Sequence, residues 1–317
     1  MESPAPQPER AVQPLAANTL PGHQPPHSRH PVTTAPPLPT RIYTPESPLA
    51  HPGKLWGEMV RDLWAGRELA WRLAVRDISA QYRQSALGVL WALIIPLSNT
   101  AVWLFLTGSK VVQVAATSVP YPVFVFTGTL LWSILIDALN APLQQVNANK
   151  PLLAKINFPR EALILTGIYQ TLFNAAIKLG ILLLVLPFLG IHPGWGGLLI
   201  PVGLLSLVLT GTAVGLLFTP LGVLYGDIGR GIPLITQFLM YLSPVVFPLA
   251  TTGWTANLMR LNPLTPLILN ARAWFTGQPP QLLGEWALAV GGSAVLLLLV
   301  WMVYRLAMPI LIERMSA

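Results

Sequence analysis

Two charged residues inside long apolar stretches are the positions where this sequence is most expected to do chemistry. Asp137 and Lys178 each interrupt an apolar run. A charge at the centre of a helix in hydrocarbon costs about 2.5 to 3.5 kcal/mol, so Lys178 is expected to face protein or water, or to extend its stem to an interface. A role along a substrate path is the alternative for Lys178. Asp137 has no accompanying acid or histidine, which favours an interfacial or inter-helix contact over a proton site.

Groupings typical of a catalytic centre are missing from the sequence. The 12 acidic residues are scattered, there is no cysteine, and there is no Gly-rich phosphate loop ending in Lys and Ser or Thr. The chain therefore has no visible means of hydrolysing ATP, and no acid or base cluster supports an embedded enzyme. Four of the five histidines have irregular spacing in a Pro-rich stretch, which argues against a metal site. They are His23, His27, His30 and His51.

The elements that must position the charged residues are predicted from composition to be membrane helices. The chain is 53% hydrophobic and 10% charged with a mean hydropathy of +0.58, whereas soluble domains carry about 25% charged residues. The apolar residues fall into runs of roughly 20 or more, which is enough for a helix to cross a bilayer. The net charge of +7 is spread between these runs without a basic cluster and interleaved aromatics, which argues against nucleic-acid binding.

The sequence predicts an all-α integral membrane protein in three parts. Residues 1–53 form a Pro-rich tail expected to be disordered, residues 54–87 an amphipathic interfacial helix, and residues 88–317 a domain with six transmembrane helices. In the fourth span, the small-xxx-small pair Gly211 and Gly215 predicts close helix packing, within one chain or between two. The six predicted spans are Gly88–Gly108, Tyr121–Pro142, Glu161–Leu189, Gly197–Leu224, Gly231–Ala250 and Glu285–Ala307.

The segment Lys54–Ser85 has the pattern of a helix lying in the membrane interface. Apolar residues, among them Trp56, Trp64 and Trp71, recur at helical spacing, and the other face is charged. Packing on a soluble partner is the alternative, because amphipathicity alone does not identify the apolar surface that a helix meets. Gly66 is expected to divide the segment into two helices.

Charge distribution predicts that both termini are cytoplasmic. With the amino terminus inside, Lys and Arg concentrate in the inside segments, which include Lys150, Lys155 and Arg305, beside the basic amphipathic helix. The loop Thr251–Gly284 contains an apolar run too short to span. It is therefore predicted to form a re-entrant or interfacial element on the outer side.

Four stretches, in order along the chain, resemble the permeases of bacterial polysaccharide ABC exporters, which handle O-antigen, capsule or teichoic acid. Arg76 to Trp91 is similar to the start of the first span in that family, and NKPLLAKINFPR at 149–160 is similar to the loop between the second and third spans. YLSPVVF at 241–247 resembles the fifth span, and Asn262-Pro263-Leu264 resembles the outer loop. The resemblance covers the chain from about Leu55 to its end.

The resemblance implies a multi-pass permease in the bacterial inner membrane, present as two copies bound to two copies of a separate ATPase. ATP and magnesium would then bind to that partner and no cofactor to this chain. The loop after the second span would contact the ATPase, although its charges are equally explained as a positive-inside anchor. The family usually has an Arg-Asp pair after the fourth span, where this chain has Gly226-Asp227 and a displaced Arg230. The residues implied in ATPase coupling are Asn149, Lys155, Phe158, Pro159, Arg160, Asp227 and Arg230.

The substrate implied by the resemblance is a glycan on undecaprenyl diphosphate. Arg76 and Arg83 are the candidates for binding the diphosphate, because a guanidinium can bind phosphate oxygens in a bidentate way. Candidates for lining a glycan path are Trp91, Trp103, Tyr169, Phe173 and Lys178, although aromatic residues in spans also commonly face lipid or pack between helices. A permease for a small hydrophobic compound is the alternative function. An ion-coupled carrier or an embedded enzyme has less support in the sequence.

Overall fold

The computed structural model describes residues 52–83, 87–156 and 158–316, and within these ranges the chain is helical with no strand. The Pro-rich tail predicted for residues 1–53 lies outside the described residues except for its last two. The ten helices in the described ranges are α1 Pro52–Arg83, α2 Trp91–Gly108, α3 Tyr121–Ala148, α4 Lys150–Lys155, α5 Glu161–Phe188, α6 Ile200–Leu224, α7 Gly226–Tyr241, α8 Gly253–Leu261, α9 Leu264–Thr276 and α10 Leu283–Ser316.

Five helical stretches in the described part of the chain are long and apolar enough to cross a membrane. They are Gly88–Gly108, Tyr121–Ala148, Glu161–Phe188, Gly194–Leu224 and Leu283–Arg314. The predicted fifth span, Gly231–Ala250, instead holds most of α7, which has 16 residues and is followed by turns. At 1.5 Å per residue α7 is about 24 Å long. It ends at Tyr241, close before Pro244, because proline disfavours helical geometry in the residue that precedes it. The six-span count stays a prediction.

Helix α1 is a single unbroken helix, so the prediction that Gly66 divides it was wrong. A Cβ added at Gly66 would lie 3.1 Å from the Cβ of Ala162 on α5. The missing side chain therefore allows α1 and α5 to approach closely, and their packing outweighs the weak helix preference of glycine. One face of α1 is buried on the bundle while Trp64 and Trp71 stay exposed, as expected for an interfacial helix.

Helix α3 is the centre of the bundle and is longer than predicted. It continues through Pro142 to Ala148, which corrects the predicted end at Pro142. Asp137 is thus 11 residues from the end of α3, about 16 Å. Against α3, a Cβ at Gly211 would lie 2.6 Å from the Leu135 carbonyl oxygen, and one at Gly215 would overlap the Leu139 carbonyl. The predicted close packing is confirmed within one chain.

The loop predicted to be re-entrant or interfacial forms two short helices, α8 and α9. Its second helix is almost entirely buried although it has only 13 residues. Asn262 Nδ2 donates to Ser243 Oγ at 2.9 Å and its Oδ1 accepts from the Leu264 backbone N–H at 3.0 Å. Asn270 Nδ2 donates to the Gln281 carbonyl oxygen at 2.6 Å. The bond from Asn262 to Ser243 joins the motifs YLSPVVF and Asn262-Pro263-Leu264, which are separated in sequence, and the bond from Asn270 to Gln281 joins α9 to the segment before α10.

Helices α8 and α9 are called here the helical hairpin, and Arg272 of α9 attaches this hairpin to α3. Its Nη2 donates to the Val245 carbonyl oxygen at 3.0 Å, and its guanidinium lies 3.7 Å from the centroid of the Phe124 ring. Burial lowers the pKa of Arg272 to about 9, so it remains charged at neutral pH. A Cβ at Gly128 would collide with Arg272 Nη2 and the Val245 carbonyl oxygen. Glycine at 128 is therefore required for this close approach.

Candidate functional site

The predicted coupling segment, residues 149–160, contains the short helix α4. Pro151 lies in its first turn, where the missing backbone N–H costs nothing. The helix ends at Lys155 and the chain then becomes extended at Ile156. Phe158 is half-buried and packs on the apolar cluster of α3, α5, α6 and α10. The most exposed apolar side chain described in the segment is instead Ile156, at 56%.

Asn149 lies at the start of this segment but is buried, with 2% of its surface exposed. Its Nδ2 donates to the Gln145 carbonyl oxygen at 2.9 Å, and its Oδ1 accepts from Arg76 Nη2 at 2.9 Å. Arg76 also binds Asp77 through Nε at 2.8 Å. The structure therefore brings together Arg76 and Asn149, to which the sequence assigned different roles. Arg83, the other diphosphate candidate, is exposed in the last turn of α1.

A group of ion pairs holds the chain directly after residue 160, and the sequence analysis did not predict it. Arg305 of α10 binds Glu161 Oε1 at 2.5 Å and Asp62 Oδ2 at 2.8 Å, and lies 3.7 Å from Glu58 Oε2. Residues Arg305, Glu161, Asp62 and Glu58 are called here the Arg305 cluster. Glu161 is only 3% exposed, so its charge depends on this partner. The sequence offered Arg305 only as one basic residue among several near an apolar run.

The remaining coupling candidates differ in their surroundings. Asp227 and Arg230 form an exposed i,i+3 ion pair of 3.5 Å in the first turn of α7. A pair this exposed contributes little to stability. Lys155 is exposed, while Pro159 and Arg160 are half-buried. The Arg160 carbonyl oxygen accepts a hydrogen bond from the Tyr304 hydroxyl at 3.3 Å.

Asp137 and Lys178 form an ion pair between α3 and α5. Lys178 Nζ lies 2.7 Å from Asp137 Oδ2, and the exposed fractions of the two side chains are 9% for lysine and 34% for aspartate. The prediction that Asp137 makes an inter-helix contact is confirmed. The cost of placing Lys178 within a span is offset by this opposite charge.

A larger cavity of about 610 Å³ lies between α2, α3 and α7. Seven of its lining residues carry an aliphatic hydroxyl, an amide or a carboxylate group, and three carry an indole or phenol ring. This mixture suits a ligand with both polar groups and flat apolar faces. The polar residues are Asn99, Thr129, Ser133, Asp137, Asn140, Thr236 and Gln237, and the aromatic ones include Trp103, Trp132 and Tyr241.

A smaller cavity of about 320 Å³ lies between α1, α2, α3 and α5. Trp91 and Lys178 line it. Its wall also contains Tyr82, whose hydroxyl donates to Asn174 Oδ1 at 3.3 Å. Burial, together with the charge of Asp137, raises the pKa of Tyr82, so its hydroxyl keeps its proton at neutral pH.

Of the four aromatic residues predicted to line a glycan path, two line cavities in the structure and two pack between helices. Trp91 lines the smaller cavity and Trp103 the larger one. Tyr169 and Phe173 instead pack edge to face against Trp71 and Tyr82 of α1, with ring centroids 5.9 and 6.1 Å apart. Those two residues therefore hold α1 against α5. Among the described residues, no group of three His, Asp or Glu side chains is placed to hold a metal ion.

Comparison with known proteins relates the chain to a transporter family and to export permeases. Residues 68–275 match the family described as ABC-2 type transporter. The O-antigen export system permease protein RfbA of Myxococcus xanthus is 26% identical over 68% of this chain and 84% of its own length. The protein of the same name from Klebsiella pneumoniae is 24% identical over 63% and 77% of the two chains. The polysialic acid transport protein KpsM of Escherichia coli is 22% identical over 56% and 69%.

The family match extends from the middle of α1 to the end of α9. It therefore includes the coupling segment, both cavities and the helical hairpin. The described helices include five that can span a membrane, as a multi-pass membrane protein requires. The chain belongs to the ABC-2 type transporter family of membrane proteins.

Proposed function

We propose that this chain is the membrane subunit of an ATP-driven exporter of a lipid-linked polysaccharide such as O-antigen. Its relatives are named as permeases for O-antigen export and for polysialic acid transport. The match covers most of the length of those relatives, which supports a common task for the transmembrane part. A separate ATPase subunit would bind ATP and magnesium, since this sequence contains no phosphate-binding loop.

The observation that carries the proposal is the polar and aromatic lining of the two cavities. Sugars have hydroxyl groups that need hydrogen-bond partners, and ring faces that pack on aromatic side chains. Trp91, Trp103 and Trp132 offer aromatic surface, and the amides and hydroxyls of the larger cavity offer partners. Thr129, Ser133, Asn140 and Thr236 donate to backbone carbonyl oxygens of their own helices, so the lining offers a ligand mainly hydrogen-bond acceptors. Saccharide hydroxyls can donate to these acceptors, and a small hydrophobic compound cannot.

Undecaprenyl diphosphate is the proposed carrier of the glycan. Arg83 is exposed at the end of α1, and 53% of the Arg76 side chain is exposed although it also binds Asn149. Both belong to an amphipathic helix with tryptophans on its surface, a location that suits contact with a lipid headgroup. Guanidinium groups there can bind diphosphate oxygens.

The exporter is proposed to contain two copies of this chain and two of the ATPase. The proposed contact for the ATPase is the α4 segment, whose end carries the exposed residues Lys155 and Ile156. Asp227 and Arg230, in the first turn of α7, are proposed to contribute to the same contact. Asn149 acts indirectly in this scheme, because it is buried against Arg76. Phe158 supports the segment from within through its packing on the apolar cluster.

The test is reconstitution with an ABC ATPase subunit from the same organism that co-purifies with this chain. Lipid-linked glycan from a strain of the same organism lacking the permease is added to proteoliposomes, and ATP hydrolysis and glycan movement are measured. We expect the glycan to stimulate ATP hydrolysis and to cross the bilayer. Stimulation by hydrophobic drugs with no response to the glycan would instead identify a drug exporter.

Both termini are proposed to lie in the cytoplasm, with the protein in the inner membrane. Lys155→Cys and Thr252→Cys place thiols at exposed positions near opposite ends of the bundle. We expect a membrane-impermeant thiol reagent added outside spheroplasts to label Thr252→Cys and not Lys155→Cys. Labelling of Lys155→Cys from outside would reverse the orientation.

A further inference from the structure

Four of the polar residues of α3 lie on one face of the helix. Thr129, Ser133, Asp137 and Asn140 are spaced by four, four and three residues, which places them in a single stripe. All four line the larger cavity. Thr129, Ser133 and Asn140 donate to carbonyl oxygens of α3 itself. Asp137 is the ionisable member of the stripe, and an ionisable residue inside a membrane span usually serves a function.

Asp137 occupies the point where the two cavities adjoin. Both cavities are lined by Ser133 and Asp137. The carboxylate is 34% exposed, whereas the Lys178 side chain that binds it is 9% exposed. The lysine is mostly enclosed by protein and lines only the smaller cavity, whereas the carboxylate is the more exposed member of the pair and lines both cavities.

The two oxygens of this carboxylate have different partners. Oδ2 accepts from Lys178 Nζ at 2.7 Å. In the described part of the chain, no side-chain donor is bonded to Oδ1. An ionised carboxylate is a pure acceptor with room for several hydrogen bonds, and bonds from hydroxyl donors to it are short and strong.

We propose that Asp137 binds saccharide hydroxyls as the glycan passes between the two cavities, with Lys178 as the positioning residue that orients the carboxylate. Oδ1 accepts hydrogen bonds from successive hydroxyl groups, while Trp91 on one side and Trp132 on the other offer apolar surface to the sugar rings. The proposal rests on the proposed function and adds a specificity-determining residue to it.

The alternative is that the pair only joins α3 to α5, and the two roles respond differently to loss of charge. The double variant Asp137→Asn/Lys178→Gln removes both charges together and keeps amide groups that can bond to each other. It therefore avoids the unpaired buried charge that either single variant leaves. A pair that only joins the two helices should tolerate this exchange. A carboxylate that binds saccharide hydroxyls should not, since the double variant has lost that acceptor.

The experiment measures export of the organism's own lipid-linked glycan at matched membrane abundance and matched ATPase co-purification. We expect the double variant to lower the rate by about 10-fold or more, as for loss of a hydrogen bond to a charged group. The matched control is Glu68→Gln/Arg72→Gln, which neutralises an exposed ion pair on α1 and should export at the parental rate. Asp137→Glu keeps the carboxylate and should export faster than the double variant.

The outcomes separate this proposal from the proposed function. Parental export by the double variant would overturn the role of Asp137 and leave the function intact. Equal loss in the double variant and in Asp137→Glu would also overturn it, since the carboxylate would then be irrelevant. Failure of the parental protein to move any glycan would instead reject the proposed function.

Discussion

The two ends of the helical bundle are held together by different kinds of contact. At the end that contains α4, the connections are charged: the Arg305 cluster joins α1, α5 and α10, and Arg76 joins α1 to Asn149. At the other end, the helical hairpin is held by the amides of Asn262 and Asn270 and by the enclosed Arg272. One end is therefore ionic and partly exposed, and the other is buried and mostly uncharged.

This difference indicates a mobile end and a rigid end. At the α4 end, the hydrogen bond from Arg76 to Asn149 is partly exposed, and water can replace it at low cost because solvent screens the charge. The Arg305 cluster at the same end is costly to break, because Glu161 is buried. Buried hydrogen bonds have no such replacement, so breaking them costs the full desolvation of each group. The segment proposed to contact the ATPase is attached at both ends to α1. A displacement of α4 would thus also displace α1, while the conformation of the helical hairpin stays the same.

The largest effect is expected at the Arg305 cluster. Arg305→Met keeps much of the side-chain volume but leaves Glu161 and Asp62 without their cation. We expect a loss of about 3 to 5 kcal/mol in the free energy of unfolding. It is measured by thermal unfolding in detergent, with Arg72→Met as the control because the Arg72 ion pair is exposed. Equal stability of the two variants would show that the Arg305 cluster does not stabilise the fold.

The next largest loss of stability is expected at the end of the bundle that contains the helical hairpin. Gly128→Ala places a methyl group against Arg272 and the Val245 carbonyl oxygen, and overpacking of this kind costs about 1 to 3 kcal/mol. We expect lower thermal stability and easier proteolysis within α8 and α9. Gly291→Ala on α10 is the control, since a Cβ there meets nothing within 4 Å. A hairpin that resists proteolysis as well as the parent does would contradict its rigidity.

The smallest effect on stability, but a distinct one on function, is expected for Arg76→Ala. It removes a partly exposed hydrogen bond to Asn149, worth about 1 kcal/mol or less. Because α4 then loses one tie to α1, more ATP should be hydrolysed for each glycan exported. The ratio of the two rates is the measurement, and Arg61→Ala, exposed on the same helix, is the control. An unchanged ratio in Arg76→Ala would show that this tie does not transmit movement.

Local patterns predicted much of this fold. The apolar runs predicted α2, α3, α5, α6 and α10 because a bilayer requires about 20 apolar residues for each spanning helix. The spacing of tryptophans and charges predicted α1, and small residues predicted that α6 packs closely on another helix, which the structure identifies as α3. Gly66 was misjudged because glycine both weakens a helix and permits close packing, and the sequence alone does not distinguish these effects.

The candidate site depended on contacts that local patterns do not contain. Arg305 and Asp62 are 243 residues apart and Asp137 and Lys178 are 41 apart. Helices that are apolar on every side, such as α6 and α10, give no periodic signal of which face meets which neighbour. Amino-acid types and their spacing were therefore enough for the membrane class, most helices and the family resemblance. Tertiary packing decided which charges became partners and which carboxylate faces the cavities, because these depend on how helices distant in sequence are rotated against one another.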